Sequence, residues 1–338
     1  MPKRVLGNDP FLRGAAERAP APPPPPKGGA RPARPRATAA PPPPATQAAK
    51  GTPGTVAPAA APLDLAAAWG ALRAAVEAIR AGVGSAADVE LDVYGGDAHL
   101  QAAVAPLAEF LYTHWFRVTV EGAEHVPRGG ALLVANHAGA LPIDGPILHQ
   151  ALKRSRPDLP DSRWLVEDQV FYAPVLGTLL NRLGGVRASP DNATRLLGEG
   201  RPVLVFPEGI QGIGKPFRER YRLKRFGRGG FVKLALRTGV SILPVAVVGG
   251  EESLPLLAKL PAGFLGMPYL PVTPLGPVPL PARWFVRIGA PISLPDRGAA
   301  KGEVATLAVL EAIVERTRRS IEEMLQKLLR ARAGVFSG

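Results

Sequence analysis

Val134-Ala135-Asn136-His137-Ala138-Gly139-Ala140-Leu141-Pro142-Ile143-Asp144-Gly145 is the stretch on which the reading of this chain turns. Four apolar residues, Ala131 to Val134, lead into it as a short buried strand. The chain then breaks into a Gly/Pro loop and re-enters a helix near Asp144. A histidine at a strand end and a carboxylate seven residues on, at a helix start, can meet across that loop. Such a pair makes a general base: the carboxylate accepts from one ring nitrogen and leaves the other free to take a proton. The alternative is a turn histidine beside a strand, with Asp144 serving only as a helix N-cap.

On either side of this stretch, strands alternate with helices. Phe116–Val120, Ala131–Val134, Arg163–Val166, Pro202–Phe206, Ile242–Val248 and Trp284–Ile288 read as strands. Gly145–Leu152, Asn192–Leu197 and Gly230–Thr238 read as the helices between them. That alternation predicts an α/β sheet with helices on its faces, over residues 113–295. Before it, Leu65, Trp69, Leu72, Val76, Ile79 and Val83 mark one face of an amphipathic helix, capped by Asp64. A second helix carries Leu100, Val104, Leu107 and Leu111, with Pro106 predicted to kink it. Together these form a helical extension over 61–112. After the sheet, Leu307, Val314, Ile321 and Leu328 mark a long amphipathic helix within 296–338, which packs on the domain rather than spanning anything. Residues 254–283 are apolar but too rich in proline to span a membrane as a helix, and read as an extended loop packed on the body or dipping into lipid.

Residues 1–60 are Pro/Ala-rich and cannot bury enough apolar surface to offset their ordering entropy, so a disordered basic tail is expected. The net charge is +13, with a pI near 10.5, which favours an anionic partner. Of that charge, +7 lies in the tail and +8 in Lys215–Arg237, leaving the rest slightly acidic. Nucleic acid is not the expected partner: neither zinc-finger spacing nor an RNP-type aromatic pattern is present. With no cysteine in the chain, disulfides, cysteine-ligated zinc and a thiol nucleophile are excluded. The five histidines form no close-spaced ligand pair, so no metal is implied. No apolar run is long enough to cross a bilayer, and Met1 to Gly14 lacks the core of a signal peptide.

Three further stretches carry chemistry. Val203-Leu204-Val205-Phe206-Pro207-Glu208-Gly209-Ile210 delivers a carboxylate at the carboxyl end of a strand, followed by a glycine that permits close backbone approach. Basic residues follow at once, from Lys215 through Arg228; as an alternative, Glu208 is a surface ion-pair partner for them. Gly184-Gly185-Val186-Arg187-Ala188-Ser189 presents an arginine in a glycine-rich turn, suited to hold a phosphate bidentately or else a plain surface cation. In Ile242-Leu243-Pro244-Val245-Ala246-Val247-Val248, the proline predicts a strand edge or a bulge.

Taken in order, these blocks resemble the glycerolipid acyltransferase superfamily of the PlsC type. Asn136-His137…Asp144 is similar to its first block, Val186-Arg187 to its second, Phe206-Pro207-Glu208-Gly209 to its third and Leu243-Pro244-Val245 to its fourth. The resemblance covers roughly residues 110–295. Six residues separate His137 from Asp144 where the usual pattern has four, Pro142 stands where it has Asp, and Ile210-Gln211 stand where it often has Thr-Arg. A branch with such a lengthened first block includes enzymes acting on neutral acceptors.

The resemblance implies a mixed sheet flanked by helices in a glycerol-3-phosphate acyltransferase-like fold. It also implies an O-acyltransferase of lipid metabolism, with acyl-CoA or acyl-carrier protein as donor and a glycerolipid-type acceptor such as lysophosphatidic acid. His137 is then the general base and Asp144 its orienting partner. Asn136, Arg187, Glu208, Gly209, Lys215 and Arg228 are the expected substrate-binding residues, with no cofactor beyond the acyl donor. Peripheral attachment to the cytoplasmic face of a membrane is expected, through 254–283 first and the basic stretch near Arg220 second. The competing reading is a lipid-binding scaffold on the same fold, in which the longer first block leaves His137 unoriented. An esterase is disfavoured by the absence of a Gly-X-Ser-X-Gly elbow.

Overall fold

The computed structural model describes residues 65–84, 90–227, 229–263, 269–295 and 307–336. The expected tail over 1–60, the Asp64 cap and Arg228 lie outside the described residues. The strands are β1 (Thr119–Glu121), β2 (Ala131–Ala135), β3 (Arg163–Val166), β4 (Gly185–Arg187), β5 (Pro202–Val205), β6 (Ser241–Val248), β7 (Ala258–Leu260), β8 (Leu270–Val272) and β9 (Phe285–Ile288). Seven of them form one mixed sheet in the order β1-β9-β6-β2-β5-β3-β4, and β7 and β8 form a separate antiparallel pair. Strands β6, β2, β5, β3 and β4 run parallel to one another, and β9 joins β6 antiparallel.

The apolar runs explain this order. All five residues of β2 are buried, as a central strand covered on both faces requires. The pleat sends Leu132, Val134, Val203, Val205, Ile242 and Ala246 to one face. There they meet the helices Pro190–Gly198, Gly230–Thr238 and Leu307–Ala331. Leu133, Ala135, Leu204, Leu243, Val245 and Val247 go to the other face, against Phe116, Trp164, Trp284 and the helix Asp144–Ser155. The long carboxy-terminal helix buries Leu310, Ile313, Thr317, Ile321, Met324, Leu325 and Leu328, so its stripe is core.

Several elements differ from the sequence expectation. Leu111–Trp115 forms a π-helical turn that continues the helix Ala98–Phe110, so the first strand begins at Thr119 rather than Phe116. Pro106 lies inside that helix without ending it. Pro244 stands in a central strand and not at an edge. Between the Ile242–Ile292 bridge and the Val245–Ile288 pair, two residues of β6 face three of the neighbouring chain, the count of a bulge, and Gly289 N–H donates to the Pro244 carbonyl at 2.8 Å. The proline-rich 254–283 stretch holds the β7–β8 hairpin rather than a plain loop. Among the described residues no helix is long and apolar enough to cross a membrane.

Candidate functional site

At the carboxyl end of β2, Asn136 is fully buried and prolongs the ladder with its side chain. Its amide donates to the Val247 carbonyl at 3.0 Å and accepts from the Val247 N–H at 2.8 Å. This holds the strand end against β6 and sets where His137 emerges. Asn136 thus acts as a structural clasp, with both its amide nitrogen and its amide oxygen bonded to the Val247 backbone.

His137 Nδ1 lies 2.7 Å from Asp144 Oδ2, with both side chains almost completely buried. Asp144 opens the helix Asp144–Ser155 and also accepts from the N–H groups of Ala138 and Gly145, each at 3.0 Å. The lengthened loop does not part the pair. Gly139, at φ +102°, turns the chain where an added Cβ would lie 2.7 Å from the Gly250 carbonyl oxygen, and Ala140 N–H donates to the Leu254 carbonyl at 2.9 Å. Ala140, Leu141 and Ile143 pack with Leu254 and Leu256. The extra residues are thus docked on the segment after β6, and the helix start returns to His137.

A pocket opens beside the imidazole. Its walls are mostly apolar, including Pro142, Trp164, Val166, Val170, Phe206 and Ile213, with Glu167 and Asp144 among them. Phe206 stacks on the His137 ring, with centroids 4.4 Å apart and an interplanar angle of 12°. With Nδ1 engaged by a carboxylate, Nε2 is the ring position left for proton transfer.

Beneath the ring, the His137 main chain is held from both sides. Glu208, buried, accepts from the His137 N–H at 2.9 Å and from the Lys224 N–H at 2.7 Å. Lys215, 5% exposed, reaches the His137 carbonyl at 3.3 Å, Glu208 at 3.3 Å and Glu251 at 2.8 Å. Burial by itself lowers the Lys215 pKa, but the two carboxylates outweigh it and hold the ammonium above the ordinary lysine value. Burial pushes the Glu251 carboxyl up to about 6 against the pull of Lys215. Glu251 also accepts from the Tyr221 N–H, and the Tyr221 hydroxyl donates to Glu252 while accepting from the Gly249 N–H at 3.0 Å. Arg332, just past the carboxy-terminal helix, pairs with Glu252 at 2.8 Å. Tyr221 itself stands at φ +62°, a left-handed conformation this network holds in place.

These contacts revise the expected roles. The sequence leads one to expect Glu208 and Lys215 at the substrate; in the structure both are buried and engage each other and the His137 peptide. Gly209, at φ +55°, lies where an added Cβ would be 2.7 Å from Glu167 Oε2, and Glu167 accepts from the Ile210 N–H at 2.7 Å. Gly209 thus lets the turn close on Glu167. Arg187 is half exposed at the end of β4. Its guanidinium pairs with Asp168 at 2.8 Å and sits over the Tyr172 ring at 5.4 Å, apart from the His137–Asp144 pair. Glu167, Glu251, Glu252 and Tyr221 went unnoticed in the sequence. Glu167 was findable by the rule that singled out Glu208, a carboxylate at the carboxyl end of a buried strand. Among the described residues no group of three or more His, Asp or Glu side chains is placed to hold a metal ion.

The Acyltransferase family model matches residues 117–248. An uncharacterized protein of Mycobacterium tuberculosis, Rv0502, is 42% identical over 262 residues, spanning 74% of this chain and 73% of that protein. The uncharacterized protein ML2427 of Mycobacterium leprae is 43% identical over 262 residues, spanning 74% and 71%. The structure is also similar to the crystal structure of the 1-acyl-sn-glycerophosphate (LPA) acyltransferase PlsC from Thermotoga maritima, with a TM-score of 0.44 and 20% identity over 70% of this chain and 83% of that one. The matched family model covers all four ordered blocks and the strand ends that carry His137 and Glu208, and the chain carries an Acyltransferase-family domain over residues 117–248.

Proposed function

We propose that the protein transfers a fatty acyl group from an acyl-CoA or acyl-carrier-protein thioester to a hydroxyl of a glycerolipid-type acceptor. His137 Nε2 takes the proton as the acceptor oxygen attacks the thioester carbon. Asp144 orients the imidazole and steadies the charge it acquires. The tetrahedral intermediate then expels the thiolate, which recovers that proton from the imidazolium, leaving an ester and a free thiol. No acyl-enzyme is needed, and no cofactor beyond the donor enters. The observation that carries the reading is the buried 2.7 Å contact between His137 and Asp144 beside an apolar pocket. The reaction is assigned to the cytoplasmic face of a membrane, with the protein attached peripherally.

For the acceptor, lysophosphatidic acid and neutral hydroxyls such as diacylglycerol or a long-chain alcohol are the two candidates. The neutral class is favoured by one specific observation. Two of the cations expected to bind substrate are committed, Lys215 to two carboxylates and Arg187 to Asp168. A phosphate at Arg187 would share the guanidinium with Asp168 or displace it.

The test is transfer of label from radiolabelled acyl-CoA, and in parallel from acyl-carrier protein, to a panel of acceptors. The panel holds glycerol-3-phosphate, lysophosphatidic acid, other lysophospholipids, diacylglycerol and long-chain alcohols. Label in a neutral acceptor supports the favoured class, and label in lysophosphatidic acid reverses that preference. Label in none of them, from either donor, rejects the proposed reaction.

A further inference from the structure

Many of the large apolar side chains that stay exposed among the described residues gather in one place. Leu257, Leu260, Leu270, Leu275 and Val278, all within residues 257–278, are 44–60% exposed. They belong to the β7–β8 hairpin and the chain that leaves it. The hairpin lies outside the main sheet, and every residue of β7 is exposed. Two strands this short do not hold a shape unaided. The hairpin's ladder extends by one bond, from Leu257 N–H to the Val272 carbonyl at 2.9 Å, and its base is tied down where Leu280 N–H donates to the Ser253 carbonyl at 2.7 Å. The leucines are thus presented by an anchored support, and a cluster of this kind marks an interaction site.

The charge beside them narrows the partner. Phe217 N–H donates to the Leu256 carbonyl at 3.0 Å, joining the hairpin base to the basic segment that follows Lys215. In that segment Arg218, Arg220 and Arg222 are exposed, and Arg220 lies over the Phe217 ring at 4.6 Å. On the hairpin, Lys259 sits over Tyr269 at 4.5 Å. Leucines flanked by arginine, lysine and aromatic rings are the composition of a surface that enters the headgroup layer of an anionic bilayer. A small cleft beside Phe217 and Leu256 is walled by Gly139, Ile213, Arg220 and Leu254, with the buried Lys215 and Glu251 among its walls. Gly139 is two residues from His137, and Ile213 also walls the pocket beside the imidazole.

We infer that the β7–β8 hairpin and the arginines at 218, 220 and 222 form one docking face for an anionic lipid bilayer. That face would then set the protein on the bilayer from which His137 draws its lipid acceptor. This last step rests on the proposed acyl transfer; the docking itself does not.

The experiment is flotation of the full-length protein with vesicles of phosphatidylcholine alone and of phosphatidylcholine mixed with phosphatidylglycerol. Wild type is expected to float with the mixed vesicles, and less as salt is raised. A variant carrying Leu260→Glu, Leu270→Glu and Leu275→Glu should lose binding by about tenfold or more. Arg218→Glu with Arg222→Glu should abolish the preference for the anionic vesicles. Circular dichroism melts verify folding, and the milder Leu260→Ser/Leu270→Ser pair replaces the triple variant if that melts early.

Failure of wild type to float would overturn the inference and leave the leucines to a protein partner. Undiminished flotation of the leucine variants would also overturn it, and would move attachment elsewhere, such as the basic residues of 1–60. Because flotation requires no turnover, a failed acyl-transfer assay would leave a positive result standing.

Discussion

His137 sits between two unlike environments. Its ring faces an apolar pocket and stacks on Phe206, with one carboxylate, Asp144, at Nδ1. Its main chain rests on a buried ionic cluster in which Glu208, Lys215, Glu251, Tyr221, Glu252 and Arg332 are all engaged. The contrast separates two tasks. Proton transfer works best where few dipoles compete for the imidazole, so the pocket is sparing with charge. Fixing a strand-end loop to within a fraction of an ångström requires strong directional contacts, so the charge is placed under the backbone. Gly212 lies where the two layers meet: an added Cβ there would be 2.7 Å from Glu208 Cβ and 2.8 Å from His137 Cβ.

If the tasks are separate, substitutions in the two layers should fail in different ways. Asp144→Asn keeps the shape of the pocket side but exchanges an acceptor for a group that can also donate. We predict a fall in kcat on the order of 1,000-fold with little change in KM, measured by steady-state acyl transfer. Lys215→Met acts on the lower layer and strands Glu208 and Glu251 as buried, unpaired carboxylates. The expected result is a loss of about 3–5 kcal/mol of stability by urea denaturation. A stability loss in Asp144→Asn as large as that in Lys215→Met would break the distinction.

Glu251→Gln gives a smaller and more specific signal. Its carboxyl is raised from 4.5 to about 6, chiefly by burial, so the stability linked to it is full below pH 4.5 and is lost as pH rises through 6. Relative to the glutamine variant, wild type should therefore lose on the order of 2 kcal/mol between pH 4.5 and 6.5. Denaturation midpoints of the two proteins across that range check it, and parallel curves would show that Glu251 does not titrate there.

The sequence made the sheet's centre legible because its strands are unbroken apolar runs, and a run such as Ala131 to Val134 has no other way to hide both faces. The edges were harder to read. Strand β4 is three residues long beside two glycines, and the π-helical turn at Leu111–Trp115 carries the aromatic residues that also suit a strand. In the site, His137 and Asp144 were legible because they are close in the chain and flank a recognisable loop. The ionic layer was not, since its members come from positions 71 to 195 residues beyond His137. Lys215 in particular reads in the sequence as the first member of a basic stretch expected to meet substrate. The turn through Gly212 and Gly214 sends its side chain inward while Arg218 and Arg220 stay outside. Charge counted along a chain does not say which way a side chain points.

The central claim is that His137 is the proton acceptor in acyl transfer, and the direct measurement is the turnover of His137→Ala beside wild type. Both would be assayed with the donor and acceptor that support the fastest reaction, after melts confirm that the variant is folded. The account predicts a loss of at least about 1,000-fold in kcat. A folded His137→Ala protein that turns over at the wild-type rate would contradict it.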